Sequence, residues 1–257
     1  MYMDGYLLKN LTKAKEVVKK NWDMIFVVDG YEGSGKTVLA QQCAVTVDPT
    51  FDIDRLVFNP DDFKDAINDA KQYQAVIYDE AYGGLSSKSA MSLVNKSIVQ
   101  MLTVIRSRNL FVFIVLPTFF DLDKYVALWR SRALLHVYTG DDFERGFFRF
   151  YNIDRKKDMY VKGKKFYTYN FRGSNFHGRF TNHWVVNEKH YEKKKNETSL
   201  KIADEQEHIN TKIMNIRSEI TRRLIDFFPT LKNKEVSKII GVERHCISKY
   251  KVMEDGR

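Results

Sequence analysis

The chain has 257 residues, 44% hydrophobic and 29% charged, which suits one α/β domain with a small appendage and excludes a disordered chain. Its net charge of +9 is concentrated: residues 145–195 hold 14 Lys and Arg against four acids, a local +10, so the remainder nets about −1. Two cysteines, Cys43 and Cys246, without any CxxC partner exclude a disulfide framework or thiolate metal site, and a cytoplasmic setting is expected.

At the N-terminus, MYMDGYLLKNLTKAKEVVKK places its lysines after its apolar residues and lacks a signal-type apolar core. The longest apolar run, residues 110–116, is seven residues against the ~20 of a membrane span, so no integral membrane segment is expected. Residues 24–28 (MIFVV) read as a buried strand, followed by a glycine-rich turn and a helix from Lys36 to about Val45. A second short strand is expected at 55–58. Asn59-Pro60-Asp61-Asp62 then supplies an N-cap, a proline at the first helical position and early acids, with Phe63, Ala66, Ile67 and Ala70 on one face.

Residues 75–78 form a third strand ending in Asp79-Glu80. After Gly83-Gly84 comes a long helix with Met91, Val94, Ile98, Leu102 and Ile105 on one stripe. The fourth strand is 110–116. Asp121 is a candidate cap for a short helix carrying Tyr125, Val126 and Trp129, and 133–138 is the fifth strand. Five strands interleaved with helices predict a three-layer α/β core with a mainly parallel sheet over residues 1–145.

From residue 146 aromatics alternate with basic and polar residues (FFRFYNIDRKKDMYVKGKKFYTYNF), predicting β-hairpins or a meander in a basic, β-rich extension over 146–195. Its charge suits a polyanion, nucleic acid before acidic lipid, or is simply a solvated basic surface. Its aromatics either stack on bases or form the inner face of a hairpin. Residues 188–211 lack Gly and Pro and read as an exposed helix or a linker, the linker being placed at 196–212.

Residues 213–257 regain apolar periodicity. A helix over 233–240, a tight turn at Gly241 and a helix over 243–252 turn Val236, Ile240, Val242, Ile247 and Tyr250 inward. Ile216, Ile220, Leu224 and Phe227 supply a preceding helix, giving a small all-α helix-turn-helix domain. Arg244, His245, Ser248, Lys249 and Lys251 then face outward, types that reach phosphates and base edges. The alternative is a small helical domain for protein contacts.

Two motifs carry chemistry. Gly30-Tyr31-Glu32-Gly33-Ser34-Gly35-Lys36-Thr37 matches GxxxxGK[ST] between a strand and a helix, where main-chain N–H groups and a helix N-terminus favour phosphate. Gly30, Gly33, Ser34, Gly35, Lys36 and Thr37 are the nucleotide-binding candidates, with Lys36 reaching the β/γ-phosphates and Thr37 ligating Mg²⁺. Asp79 at a strand tip is the second metal candidate and Glu80 the base for the attacking water. Because 43 residues separate Lys36 from Asp79, a strand is inserted between the motifs in sequence, the arrangement of the additional-strand P-loop ATPases. No NKxD occurs, so ATP is the expected nucleotide. The six histidines show no ligand spacing, and no GxSxG or Cys-His pattern suggests covalent catalysis.

Residues 108–118 (RNLFVFIVLPT), after the long helix and before Arg130-Ser131-Arg132-Ala133-Leu134-Leu135, resemble the FtsK/HerA group of hexameric DNA-pumping ATPases, including viral genome-packaging ATPases. They are also similar to zonula-occludens-toxin-like ATPases of phages, and the resemblance covers roughly residues 20–140. It implies a RecA/FtsK-like P-loop fold and an Mg²⁺-dependent ATP hydrolase coupled to DNA, double-stranded by expectation. The partner chain would be another copy of itself, in a ring of up to six. Translocation or packaging for a virus or mobile element is the implied task, with an ATP-switched DNA-binding regulatory or loading factor, or a phage assembly ATPase, as alternatives. Carried over from that group, Arg108 and Arg132 are candidates for contacting phosphate across a subunit interface. Thr118 matches the threonine of its strand-end Thr-Gln pair, and Phe119 stands at the glutamine position.

Overall fold

The computed structural model describes residues 1–79 and 88–252, without the side chains of 88–94, 97, 103, 206, 251 and 252. Expectations placed on Glu80, Gly83, Gly84, Met91, Val94 and the Lys251 side chain lie outside the described residues. The chain divides into two compact units, residues 1–198 and 199–257.

In the first unit, apolar runs fall where the sequence predicts strands: β1 (Met24–Gly30), β2 (Leu56–Val57), β3 (Ala75–Asp79), β4 (Phe111–Leu116) and β5 (Ala133–Tyr138). Two more follow, β6 (Phe147–Tyr151) and β7 (Phe176–Arg179). Among the described residues these seven form one sheet in the order β2-β3-β4-β1-β5-β6-β7. The first five are parallel, and β6 and β7 add antiparallel to the β5 edge. The sequence predicts β-hairpins or a meander in an extension over 146–195; there β6 and β7 pair antiparallel and continue the main sheet.

Alternation along the strands builds two cores, as the two-residue side-chain period requires. Phe26, Val28, Phe113, Val115, Leu135 and Val137 face α1 (Gly5–Val18) and α2 (Lys36–Val47). Ile25, Val27, Val112, Ile114 and Leu134 face α3 (Pro60–Asp69) and α4 (Lys88–Arg108), meeting Phe63, Ile67, Ile98, Leu102 and Ile105. Helices on both faces of a mostly parallel sheet are the layers of a three-layer α/β fold.

Local signals explain the helix ends. Asn59 caps α3 by accepting from the Asp62 N–H at 2.7 Å, with Pro60 opening the helix and Asp61 and Asp62 in its first turn. Asp4 caps α1, accepting from Tyr6 N at 2.9 Å and Leu7 N at 3.1 Å. Helix α1 is not anticipated from the sequence; its Leu7, Leu11, Ala14 and Val18 stripe is buried beneath a lysine-rich exterior.

Two further corrections concern residues 119–163. The short helix carrying Tyr125, Val126 and Trp129 is capped by Asp123 rather than Asp121, Asp123 Oδ1 accepting from Tyr125 N at 2.8 Å, while Asp121 closes a separate turn, Phe119–Asp121, that Thr118 caps by accepting from Phe120 N. Between β6 and β7 the chain is helical, α5 (Ile153–Asp158) running into a wide turn at Met159–Gly163, so the aromatic and basic alternation there is not a strand pair. Met159 and Tyr160 are buried because they pack on the α3/α4 side of the sheet.

Residues 188–211 belong to a continuous helix, α6 (Glu188–Phe227), which begins in the first unit and ends in the second. In the second unit, α7 (Asn233–Ile240) and α8 (Arg244–Val252) are joined at Gly241, whose φ of +72° is the left-handed conformation a helix C-terminus favours. Val236, Ile247 and Tyr250 are buried there against Leu224, Ile225, Ile240 and Val242. Ile216, Ile220 and Phe227, predicted to face this core, are exposed; in this part of α6 Ser218 and Thr221 are buried instead, and the Ser218 hydroxyl donates to Tyr250 O at 2.6 Å. No helix among the described residues is long and apolar enough to cross a membrane.

Candidate functional site

Parallel register fixes where the site lies. Met24 pairs with Phe111 and Gly30 with Val137, so the loop after β1, the tip of β3 at Asp79 and the end of β4 share one edge of the sheet. Gly30, Gly33 and Gly35 have φ of +143°, +73° and +97°, values that L side chains rarely adopt. A Cβ on Gly30 would stand 2.1 Å from Val137 O, so β5 permits only glycine there. Gly35 opens α2 without a side-chain cap, leaving the first N–H groups of that helix directed at the loop.

Lys36 folds back over the loop, its Nζ donating to Gly30 O and Tyr31 O, each at 2.8 Å. Burial lowers its pKa, an effect opposed by Asp79, Asp29 and Glu32. Thr37 Oγ1 donates to Asp79 Oδ2 at 2.8 Å, joining the two motifs 42 residues apart. Asp79 is buried, and its Oδ2 also accepts from the Tyr191 hydroxyl at 3.0 Å. Burial first, and then the Asp79 carboxylate, raise the Tyr191 pKa. The Ser34 hydroxyl is buried with no hydrogen-bond partner among the described residues.

A cavity of about 430 Å³ opens over these groups. Gly33, Gly35, Lys36, Thr37 and Asp79 line it, together with Arg145, Asn182, Trp184, Tyr191 and Lys195. The latter five escape motif reading because they come from the approach to β6, the segment between β7 and α6, and α6 itself, more than a hundred residues beyond Lys36. Only the basic excess of residues 145–195 hints at them. Helix α2 delivers part of this wall: Gln41 Oε1 accepts from Val185 N and Val186 N at 3.2 and 3.3 Å, and Gln42 Nε2 donates to Thr181 O and His183 O at 2.7 and 2.9 Å. Lys194 fastens the start of α6, donating to Ile53 O and Leu56 O at 2.8 Å.

The other predicted residues lie elsewhere. Arg108 and Arg132 precede β4 and β5, at the opposite edge from the loop, a strand length of ~20 Å away. Arg108 Nη1 donates to Asn68 O at 2.6 Å, satisfying a carbonyl at the end of α3, and the Arg132 guanidinium lies 5.0 Å from the Trp22 ring centroid. Neither lines the cavity. Thr118 does not line it either. Its hydroxyl is 3.2 Å from Tyr169 OH, and Tyr169 donates to Asp29, whose other oxygen is 2.9 Å from His136 Nδ1. Phe119 contributes its main-chain N–H, donating to Asp29 Oδ2 at 2.9 Å. This buried network braces the strand end directly before Gly30.

Whether a nucleoside triphosphate with magnesium fits is a matter of donors and space. The cavity offers the positive-φ glycines Gly33 and Gly35, the open N-terminus of α2 and an ammonium group, all suited to phosphate oxygens. Thr37 and Asp79 sit together as a hydroxyl and carboxylate pair. Among the described residues no group of three or more His, Cys, Asp and Glu is placed to hold a metal, so a cation here would complete its oxygen shell from phosphate and water, as Mg²⁺ does. In the second unit Arg244, His245, Ser248 and Lys249 are exposed along α8. No protein-family model matches the chain, and no curated protein matches it significantly.

Proposed function

We propose that the chain is a magnesium-dependent ATP hydrolase that works on DNA, most simply as an oligomeric translocase or packaging motor related to the FtsK/HerA ATPases. The observation that carries the ATPase reading is the convergence of Lys36, Thr37 and Asp79 at the mouth of a loop built from three positive-φ glycines. Support for the additional-strand P-loop class comes from the sheet order, in which β4 stands between the strand delivering the loop and the strand delivering Asp79.

In this proposal the loop N–H groups and Lys36 bind the β- and γ-phosphates of ATP; Lys36 exchanges its two carbonyl partners for phosphate oxygens. Thr37 and Asp79 hold magnesium, which when bound neutralises charge between the phosphates. Glu80, following Asp79 in sequence, accepts the proton of the attacking water. Tyr191, through its bond to Asp79, fixes the carboxylate's orientation. DNA coupling rests on the helix-turn-helix reading of α7 and α8, whose exposed Arg244, His245, Ser248 and Lys249 present donors to a polyanion.

ATP turnover measured without nucleic acid, with single-stranded DNA and with duplex DNA, at two salt concentrations, tests the proposal. Duplex DNA is expected to raise turnover, less so at high salt because phosphate contacts weaken steeply with salt. Glu80→Gln is expected to keep nucleotide and lose turnover. DNA-independent turnover alongside tight duplex binding would instead favour the switched regulatory factor.

A further inference from the structure

We propose that Arg145 is this chain's own arginine for the terminal phosphate, acting in cis. The inference rests on the nucleotide reading of the cavity and deepens it, since charge accumulating on the γ-phosphate oxygens needs more than Lys36 and a metal to neutralise it.

Three observations single out Arg145. It lines the same cavity as Gly33, Lys36, Thr37 and Asp79, and its Nη2 is 3.8 Å from where a Cβ on Gly33 would stand, so the guanidinium lies over the loop. Among the described residues it makes no hydrogen bond or ion pair, whereas Arg55, Arg108, Arg130 and Arg179 are all engaged by carboxylates or carbonyls. Its main chain is held on both sides. Gly140 N donates to Glu144 O at 2.8 Å, and Phe180 N donates to Gly146 O at 2.9 Å. Gly146, at φ +98°, has room for no Cβ, which would stand 2.5 Å from Phe180 O.

An exposed arginine without a partner is ordinary on a protein surface. One whose main chain is held on both sides, and whose guanidinium shares a cavity with a phosphate-binding loop yet pairs with neither Glu32 nor Glu188 of that cavity, is placed for an anion. Arg108 and Arg132 cannot serve within the chain from the far edge of the sheet. As water oxygen bonds to the γ-phosphorus and the bond to the β,γ-bridging oxygen breaks, ADP leaves with that electron pair and Glu80 takes the water proton. Arg145 donates to the γ-oxygens throughout, more strongly as their charge rises.

The test uses the full chain and compares Arg145→Ala, Arg145→Lys and Lys36→Ala, following ATP turnover together with affinity for ATP and for ADP. Arg145→Ala is expected to lower kcat on the order of 10²-fold or more, the cost of removing one transition-state donor. It should weaken ATP more than ADP and leave the urea unfolding midpoint unchanged, and Arg145→Lys should recover part of the loss. Mixing Arg145→Ala with Lys36→Ala should restore nothing, since each active loop needs its own arginine. Turnover of Arg145→Ala within twofold of the unaltered protein while Lys36→Ala is inactive would overturn the inference and leave the nucleotide reading standing. Rescue on mixing would overturn it by placing the arginine in a neighbouring subunit. Full turnover in Lys36→Ala would remove the nucleotide reading itself.

Discussion

Asp48 ties together the two elements that carry the candidate site, and removing it should unfold much of what holds them. It follows α2, the helix after the glycine loop, and its Oδ2 accepts from Ala75 N at 2.9 Å, at the start of the strand that ends in Asp79. The same carboxylate accepts from Thr50 N at 2.9 Å and Thr50 Oγ1 at 2.6 Å, and pairs with the buried Arg55 guanidinium. Asp48→Ala leaves the buried Arg55 guanidinium only the exposed Asp52, 3.5 Å away, as an acidic partner, and Ala75 N without one. Breaking a buried pair costs ~3–5 kcal/mol and an orphaned buried donor ~1–3, overlapping rather than additive, so a loss of about 4 kcal/mol is expected. That is a large share of a typical 5–15 kcal/mol stability. Urea unfolding followed by circular dichroism measures it.

The pH dependence sharpens the Asp48 test. Burial alone would raise the Asp48 pKa, but hydrogen bonds from Thr50, Ala75 and Arg55 outweigh it and hold the carboxyl below its ordinary value. A depressed folded-state pKa contributes stability above the unfolded value, near 4, and loses it as pH falls through the folded one. The gap between the unaltered protein and Asp48→Ala should therefore be full at pH 7 and shrink below pH 4. A cost under about 1 kcal/mol at pH 7, or one that does not change toward acid, would refute the assignment.

Three other outcomes are expected. Gly30→Ala, with its Cβ driven against Val137 O at a positive φ, should cost ~2–4 kcal/mol in urea unfolding and abolish nucleotide binding, whereas Gly33→Ala, with only the Arg145 tip nearby, should cost ~1 kcal/mol. Lys156 is fully buried, its Nζ donating to Ala127 O, and burial pushes its pKa down to about 7. Unfolding thus takes up a proton between pH 7 and 10.5, stability should rise with pH across that window, and Lys156→Met should flatten the slope, as thermal melting at several pH values would show. Lys249→Ala in α8 should weaken duplex binding and reduce the salt slope by about 0.9 if it contacts a phosphate; an unchanged slope in salt-titrated fluorescence anisotropy would remove it from the interface.

Much of the core was legible because its signals are local. Uninterrupted apolar runs marked β1, β4 and β5, and Asn59-Pro60 marked the start of α3, since a cap and a fixed φ act within one turn. Helix α1 was hidden because only four of its 14 residues are buried and lysines crowd the rest. Residues 146–195 were misread in part because aromatics suit strands and buried helical turns alike: Phe148 and Phe150 do sit in β6, but Tyr160 packs from a helix. The glycine loop and Asp79 were found by spacing. Arg145, Trp184, Tyr191 and Lys195 were not, because tertiary folding alone brings them to the loop.

The central claim, that the glycine loop with Lys36 grips a nucleoside triphosphate, is tested most directly by equilibrium binding of ATP with magnesium to the unaltered chain and to Lys36→Ala. Saturable binding of one ATP per chain, displaced by ADP and weakened at least tenfold by Lys36→Ala, is the predicted result. Equal affinity in both proteins, or no binding at millimolar ATP, would contradict it.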